Sequence, residues 1–537
     1  MASNSYDAAI IGGGHNGLVC AAYLAKAGRR VVLLEASDRL GGMAREQEIA
    51  PGLRAPLAAH LLYGFSPKVA DDLALARHGL QLTPHRVDTV TLLPDAERLT
   101  LSSEPALTEA SLRRVSAADA ERYPAFRARL VRLAAALRPY LLRTPPQLRL
   151  ETWSDRLEML RLGLSVRRLG RADMRELLRI IGINVADLVE DTFESRALQG
   201  AISFDAVLGN LMGPRSPNTV YTLLYRWAGE VAGHAGAVAL PQGGMTALID
   251  ALAGAARAAG AEIRSAAPVA RILARAGVVE GVALADGEEI RCPTVLSSAH
   301  PKRTLLDLLG VEHLDADFVR DVRHVRGNGA NAKVNLALSA LPESLQGDGP
   351  GPARMIVAPS VQRLERSFDQ AKYGELPEDF ALEAVVPTLH GTAGETNGRH
   401  LLSVVVQYAP HRLRGGDWTG RREALGDRVV AMLEDAVPGL TDRVEARQVL
   451  TPADLEAEFA LPGGHWHHIE TGLDQTFTLR PVPRFAQYRT PVAGLYLCGA
   501  GSHPGGGLTG APGANAARQA LSDLKTGRAT QAGEAAE

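Results

Sequence analysis

The chain has few cysteines, almost no net charge and no long uncharged apolar segment. Its three cysteines, Cys20, Cys292 and Cys498, are far apart in 537 residues and form no CxxC pair. This spacing excludes a disulfide framework and a cysteine-based zinc site. The net charge of -2 gives no electrostatic reason to bind nucleic acid. No apolar run reaches transmembrane length and the first residues lack a signal-peptide pattern, so we expect a cytoplasmic protein, with membrane association left open.

A glycine-rich turn lies between two apolar runs near the start of the chain. The segment YDAAIIGGGHNGLVCAAYLAKAGRRVVLLEAS has the pattern of strand, glycine turn, helix and strand. Gly12 allows the tight turn, Gly14 allows close approach to a pyrophosphate, and Gly17 allows the helix to pack on the strand. Asn16 opens the helix. Glu35 ends the second strand, where a carboxylate can accept hydrogen bonds from a ribose diol. The segment therefore predicts the opening βαβ unit of a dinucleotide-binding fold.

The residues after Glu35 distinguish between dinucleotides. EASDRLGGMAR resembles the DRxGG extension of FAD-dependent oxidoreductases of the amine oxidase and phytoene desaturase superfamily. The resemblance implies that the cofactor is FAD and that this loop wraps its diphosphate. The cofactor contacts it implies are Ala36, Arg39, Gly41, Gly42 and Met43.

A second GxGxxG pattern, at Gly505, Gly507 and Gly510, raises the question of a second dinucleotide. Only 27 residues follow Gly510, which is too few for another βα unit with its own ribose-binding acid. The surrounding LYLCGAGSHPGGGLTGAPG closely resembles the C-terminal motif of bacterial phytoene desaturases, with Ser502 in place of the usual threonine. The resemblance implies that this loop contacts the same FAD, through Gly499, Ala500, Gly501, Leu508, Thr509 and Gly510. A helix is expected from about 514 to 524, with its positive N-terminal end toward the flavin.

A middle segment resembles the same family's third FAD-contacting piece. Gly243 and Gly244 open a predicted helix, and Val269 takes the position that meets the adenine. VVEGVALADGEEIRC alternates like a β-hairpin. Together the patterns predict an α/β fold in which a Rossmann-like FAD-binding domain is interleaved with a mixed-sheet substrate domain and a helical cap. The expected domains are 1–75, 236–301 and 456–537 for FAD, 76–235 for the cap, and 302–455 for the substrate-domain sheet.

An arginine-rich segment within the expected cap has the pattern of an amphipathic helix. Trp153, Leu157, Leu160 and Leu164 fall on one helical face, and the arginines lie outside it. Two hypotheses account for this apolar face. The helix could lie on a membrane surface, or it could cover the substrate pocket with its arginines in solvent, and we favour the second.

Histidines provide the candidate catalytic groups. In GGHWHHIE, an extended backbone would place Trp466 and His468 on one face and His465 and His467 on the other. We expect Trp466 and His468 to face the flavin, because they pair an apolar plate with a group that exchanges protons near neutrality. His503, in the flavin loop, and His60, after the first FAD loop, are further candidates. No metal is expected, because no further ligand is near the three clustered histidines.

These observations predict an FAD-dependent dehydrogenase or desaturase that removes hydride from a largely apolar small molecule to flavin N5 and creates a double bond. The open alternatives are a flavin amine or imine oxidase, a double-bond isomerase that uses reduced flavin, and a binding protein that has lost its cofactor. Oxygen or a quinone is the expected electron acceptor.

Overall fold

The computed structural model describes residues 6–82, 88–93, 97–231, 234–346, 354–390 and 398–530. The strands, in chain order, are β1 (Ala8–Ile11), β2 (Val31–Leu34), β3 (Glu46–Ala50), β4 (Leu53–Pro56), β5 (Leu62–Tyr63), β6 (Thr89–Leu92), β7 (Arg98–Leu101), β8 (Glu230–Val231), β9 (His234–Ala235), β10 (Val238–Ala239), β11 (Glu262–Arg264), β12 (Val269–Arg275), β13 (Val278–Leu284), β14 (Glu289–Arg291), β15 (Val295–Ser297), β16 (Asn331–Leu338), β17 (Arg354–Val357), β18 (Ala381–Val385), β19 (His400–Gln407), β20 (Val444–Leu450) and β21 (Leu495–Leu497). The α-helices are α1 (His15–Lys26), α2 (Pro67–Asp72), α3 (Pro105–Val115), α4 (Ala117–Leu141), α5 (Trp153–Arg168), α6 (Gly170–Ile180), α7 (Val185–Glu190), α8 (Arg196–Val207), α9 (Thr219–Ala228), α10 (Gly244–Ala258), α11 (Ala316–His324), α12 (Val361–Lys372), α13 (Arg421–Ala436), α14 (Pro452–Phe459) and α15 (Ala511–Thr526).

A five-stranded parallel sheet forms the Rossmann-like part of the fold. Its order is β11-β2-β1-β15-β21, so it collects strands from three distant parts of the chain. The predicted βαβ unit is confirmed as β1, α1 and β2. The predicted hairpin is confirmed as β13 and β14, and β12 pairs with β13 to make it three-stranded. Helices α10 and α15 both pack on α1 and share its apolar core.

A seven-stranded mixed sheet forms the second layer, in the order β20-β16-β19-β18-β17-β6-β7. Strands β6 and β7 lie within 76–235, the segment expected to be a helical cap, yet β6 pairs in parallel with β17. The sheet therefore uses residues from outside 302–455. The sequences of β6 and β7 are only four residues each, too short to indicate which sheet the strands join.

The two faces of this mixed sheet differ in polarity because side chains alternate along a strand. One face carries Val334, Leu336 and Val404 and packs with α13 in a single apolar core. On the other face Lys333 and Glu383 both pair with Val405, so the three lie in one row across β16, β19 and β18. This second face contributes to the candidate site.

Helices α3 to α9 form the cap, and α5 differs from the others in it. The cap core includes Phe126, Leu130, Ile202 and Leu223. In α5 only Asp155 is buried. Its apolar stripe is exposed instead, with Trp153 82%, Leu157 46%, Leu160 58% and Leu164 43% accessible. The favoured hypothesis that this stripe covers the substrate pocket is therefore wrong. Among the described helices, none is long and apolar enough to cross a membrane.

Candidate functional site

One cavity of about 600 Å³ is lined by residues of both sheets and of both glycine-rich segments. The ring of His15, at the start of α1, lies with Nε2 3.2 Å from the carbonyl oxygen of Gly507, so the two segments are in contact. The predicted cofactor residues that line the cavity are Gly12, Gly14, Asn16, Glu35, Ala36, Gly42, Met43, Val269, Ala500 and Leu508.

The other seven predicted cofactor residues are not among those that line the cavity. A Cβ on Gly17 would overlap the carbonyl oxygen of Gly12, so the close approach of helix and strand at this point requires glycine. The Gly41 N–H donates to the Gly13 carbonyl at 3.0 Å and fixes the DRLGG turn on the first loop. Gly499, Gly501, Thr509 and Gly510 lie in the loop between β21 and α15. Arg39 is exposed, and Arg45 is the arginine that lines the cavity.

The carboxylate of Glu35 is held in the position expected for a ribose-binding acid. Its Oε2 accepts a hydrogen bond of 2.6 Å from the Gly13 N–H, and its Oε1 accepts one of 2.9 Å from the Ser37 N–H. A carboxylate has about four acceptor sites, so lone pairs are left for a diol at the cavity wall. Asn16, which lines the same cavity, has a buried Oδ1 that finds no hydrogen-bond donor among the described residues. Both side chains thus offer polar atoms to a dinucleotide.

The histidine segment is not extended, so the expected division into two faces is wrong. Gly463 and Gly464 have φ of 80° and 64°, and His468 has φ of 66°. The His468 N–H donates to the His465 carbonyl at 2.8 Å and closes a turn. The turn brings His467 to the cavity as well, so the cavity is lined by Trp466, His467 and His468.

Burial controls the protonation of these histidines. It lowers the pKa of His468 well below its usual range, with further contributions from His300 and Arg480, and it lowers the pKa of His467 to about 3. His468 is therefore a neutral imidazole at pH 7. Arg480, which the sequence analysis did not identify, is fully buried and donates to the Ala500 carbonyl at 2.7 Å and the Glu470 carbonyl at 3.0 Å. It joins the histidine turn to the C-terminal glycine loop.

His503 and His60 have different surroundings. The Nε2 of His503 lies 2.9 Å from the carbonyl oxygen of Tyr140, which anchors the C-terminal loop to the cap. His60 lines the cavity. Its Nε2 lies 3.0 Å from Oε1 of Glu383.

Glu383 is the centre of a buried charged cluster that the sequence analysis missed. Its Oε2 accepts hydrogen bonds from the Tyr63 hydroxyl and, at 2.6 Å, from Nε of Arg354. Arg354 also donates to Asp205 at 2.6 Å. Burial alone would raise the pKa of Glu383, but Arg354 and His60 outweigh it and hold that pKa well below its usual range. A sequence signal existed, because Glu383 and Lys333 are isolated charges in the apolar runs FALEAVV and ANAKVNLAL.

Comparison with known proteins agrees with this geometry. Residues 10–74 match the family model described as an NAD(P)-binding Rossmann-like domain. The chain is 35% identical to the mouse pyridine nucleotide-disulfide oxidoreductase domain-containing protein 2, over 97% of this chain and 94% of that protein. It is 26% identical to the lycopene-forming phytoene desaturase of Pantoea ananas, over 95% of this chain and 98% of that protein.

The fold also matches solved oxidoreductases. Cyclohexylamine oxidase from Brevibacterium oxydans superimposes with a TM-score of 0.56 at 17% identity, covering 97% of this chain and all of that one (100%). This likeness shows the fold alone. Within the described ranges, no group of three or more histidine, cysteine or acidic side chains is placed to hold a metal ion. From its full-length identity to the mouse protein, the chain belongs to the oxidoreductase family of pyridine nucleotide-disulfide oxidoreductase domain-containing protein 2, and it is similar to phytoene desaturases at lower identity.

Proposed function

We propose that the protein is an FAD-dependent dehydrogenase or desaturase that oxidises a largely apolar small molecule and creates a double bond. One observation carries the proposal. A single cavity extends from the Rossmann glycines and Glu35 to an inner part walled by Leu208, Val405 and Trp466. A dinucleotide in the first part and an apolar substrate in the second would share one enclosed space, as hydride transfer between them requires.

The residues of the chain would bind and orient rather than react. Glu35 would hold the ribose diol. The space in front of the Gly14 Cα is open, because an added Cβ there meets no described atom within 4 Å. The diphosphate would pass through this space, close to the Gly14 backbone. Bound FAD would supply the hydride acceptor. The N-terminus of α15 favours negative charge in front of it. The apolar walls would exclude water from the reacting carbon.

The amine oxidase alternative has weaker support from the cavity. A substrate ammonium needs a free carboxylate, and Glu383 is the acid that lines the inner part. Its charge is already paired with Arg354, and Arg226 lies 3.7 Å away, so it attracts a further cation only weakly. An isomerase would use the same cavity without net oxidation of substrate, so product analysis separates it from a dehydrogenase.

We further propose oxygen or a quinone as electron acceptor, since the two glycine segments line one cavity rather than two. Rapid anaerobic reduction of the flavin by NADH or NADPH alone would contradict this.

The exposed stripe of α5 favours peripheral membrane contact. Arg156, Arg161, Arg167 and Arg168 are exposed around it. An apolar face flanked by arginines is typical of helices that lie in the headgroup region of anionic bilayers.

The test begins with the purified protein. We expect flavin absorption that heat releases as free FAD, and anaerobic bleaching of that absorption by a substrate that is recovered with one more double bond. A colourless protein with intact fold, or bleaching only by amines, would overturn the proposal.

A further inference from the structure

A buried cluster of three basic side chains and two carboxylates lies at the inner end of the cavity. Arg226 and Arg354 pair with Glu383 and Asp205, and Lys333 is the third basic side chain. Burial, together with the charge of Lys333, lowers the pKa of the neighbouring His60 to about 4, so this histidine adds no charge at pH 7. Since the two carboxylates are matched by the two arginines, Lys333 has no counter-charge of its own.

Two of the basic side chains have unused donors. Arg226 lines the cavity, with its guanidinium stacked 3.8 Å from the centre of the Tyr63 ring. Its Nη2 lies 3.2 Å from Asp205 and 3.7 Å from Glu383, yet this buried atom makes no geometrically acceptable hydrogen bond to any described group.

Lys333 is completely buried, and its Nζ has no hydrogen-bond partner within the described ranges. It lies beside Val405, which lines the cavity, on the same face of the sheet as Glu383. Burial lowers the pKa of Lys333 well below its usual range, and Glu383 compensates only in part. An ammonium buried in this way is costly unless an anion accompanies it.

We propose that the substrate is an apolar molecule that carries one carboxylate, and that this carboxylate binds between Arg226 and Lys333. A monoanion would be the counter-charge that stabilises the ammonium of Lys333, and it would accept hydrogen bonds from the planar guanidinium of Arg226. A phosphate monoester carries about -1.5 to -2 charges at pH 7 and would leave the cluster with an excess of negative charge. The apolar remainder would lie along Leu208, Val405 and Trp466, which wall the cavity.

This inference rests on the proposed function, because it takes the inner cavity as the substrate site. The experiment uses the purified protein with its natural flavin content and three probes of one carbon skeleton: cyclohexanecarboxylate, cyclohexanecarboxamide and cyclohexylamine. Calorimetry gives each dissociation constant without turnover. We expect the carboxylate to bind about tenfold to a hundredfold more tightly than the amide, the range of one charge-assisted hydrogen bond, and the amine to bind weakest. Equal binding of carboxylate and amide, or tightest binding of the amine, would overturn the inference.

Variants locate the site. Arg226→Gln should remove most of the preference for carboxylate over amide, whereas Arg215→Gln, at an exposed arginine paired with Glu190, should retain it. A preference unchanged by Arg226→Gln would also overturn the inference. If circular dichroism shows that Arg226→Gln does not fold, Lys333→Met gives the same comparison. If neither variant folds, the order in which the unaltered protein binds the three probes tests the inference.

Flavin content separates the two proposals. A folded protein without flavin would contradict the proposed function, while a carboxylate preference measured by calorimetry would still support the anion site. A flavoprotein without that preference would leave the dehydrogenase proposal standing and remove the carboxylate.

Discussion

Gly513 on α15 packs directly against the backbone carbonyl of Asn16 on α1, so closely that an added Cβ would overlap the carbonyl oxygen. The N-terminal ends of two helices from opposite ends of the chain therefore meet beside the cavity. Only glycine at 513 permits this approach, because the opposing atom belongs to the backbone and cannot rotate away.

We expect Gly513→Ala to separate the two helix ends, to lower the free energy of unfolding by about 1–3 kcal/mol or more, and to reduce flavin occupancy. Thermal unfolding and the ratio of flavin to protein absorbance measure the two effects. Gly163→Ala is the matched control, since this glycine is exposed within α5 and its added Cβ would meet no described atom within 4 Å. An unchanged flavin ratio in Gly513→Ala would argue against α15 as part of the cofactor site.

Glu35→Ala should yield a largely colourless protein. The substitution removes the expected ribose contact and also the acceptor of the Gly13 and Ser37 N–H groups. Glu109→Ala, at an exposed acid in α3, controls for the loss of one carboxylate. The readout is FAD released by heat, and full occupancy in Glu35→Ala would contradict the assignment of this acid to the cofactor.

His468→Ala should slow substrate-dependent bleaching of the flavin while FAD is retained, because His468 lines the cavity as a neutral imidazole. His465 is buried behind the turn, where its Nδ1 accepts from the His467 N–H at 3.1 Å, so His465→Ala should change the rate little. Stopped-flow absorbance under anaerobic conditions compares the two. Equally small effects would assign both histidines a structural role.

Stability should fall as the pH drops from about 6.5 to about 4. Burial lowers the pKa of His503 to about 4 and acts in the same direction on His15 and His60. In this window the unfolded chain takes up protons that the folded protein does not, so the free energy of unfolding decreases with falling pH.

His503→Gln should reduce the loss of unfolding free energy between pH 6.5 and pH 4 by on the order of 3 kcal/mol. This is the free energy that corresponds to lowering the pKa of one histidine from 6.5 to about 4. The measurement is the urea midpoint as a function of pH, with His324→Gln, at an exposed position of α11, as control. A stability that rises toward pH 4 would show that the buried histidines are protonated in the folded state.

Replacing two residues of the α5 stripe should weaken binding to anionic vesicles. Leu157→Glu with Leu160→Glu places charge on the apolar face, and we expect at least about a tenfold loss of partitioning into phosphatidylglycerol vesicles with no loss of stability. Tyr373→Glu, at another exposed apolar residue, is the control in co-sedimentation. Failure of the unaltered protein to bind such vesicles would exclude this membrane contact.

Sequence patterns predicted the segments whose conformation depends on neighbouring residues. They failed where contacts with distant parts of the chain determine the conformation. The turn at Gly12 and the hairpin between Val278 and Arg291 follow from short-range rules. The histidine turn does not, because positive φ at Gly464 and His468 overrides the alternation that an extended chain would have.

The cluster around Glu383 was equally inaccessible from the sequence. The other members, His60, Asp205 and Arg354, lie in the loop after β4, on α8 and on β17, and only the tertiary fold brings them together. The isolated charge in each apolar run was a signal, but it carries no information about which partner it meets.

The strand order of the parallel sheet has a consequence for how the protein is made. β1 (Ala8–Ile11) leaves the ribosome long before β21 (Leu495–Leu497), which follows all strands of the seven-stranded sheet in the chain. The cofactor wall from Gly12 to Leu508 therefore closes only after β21 has left the ribosome. Until then the apolar face of α1 that α15 covers remains exposed, so we expect a chaperone that binds this face to raise the yield of folded protein.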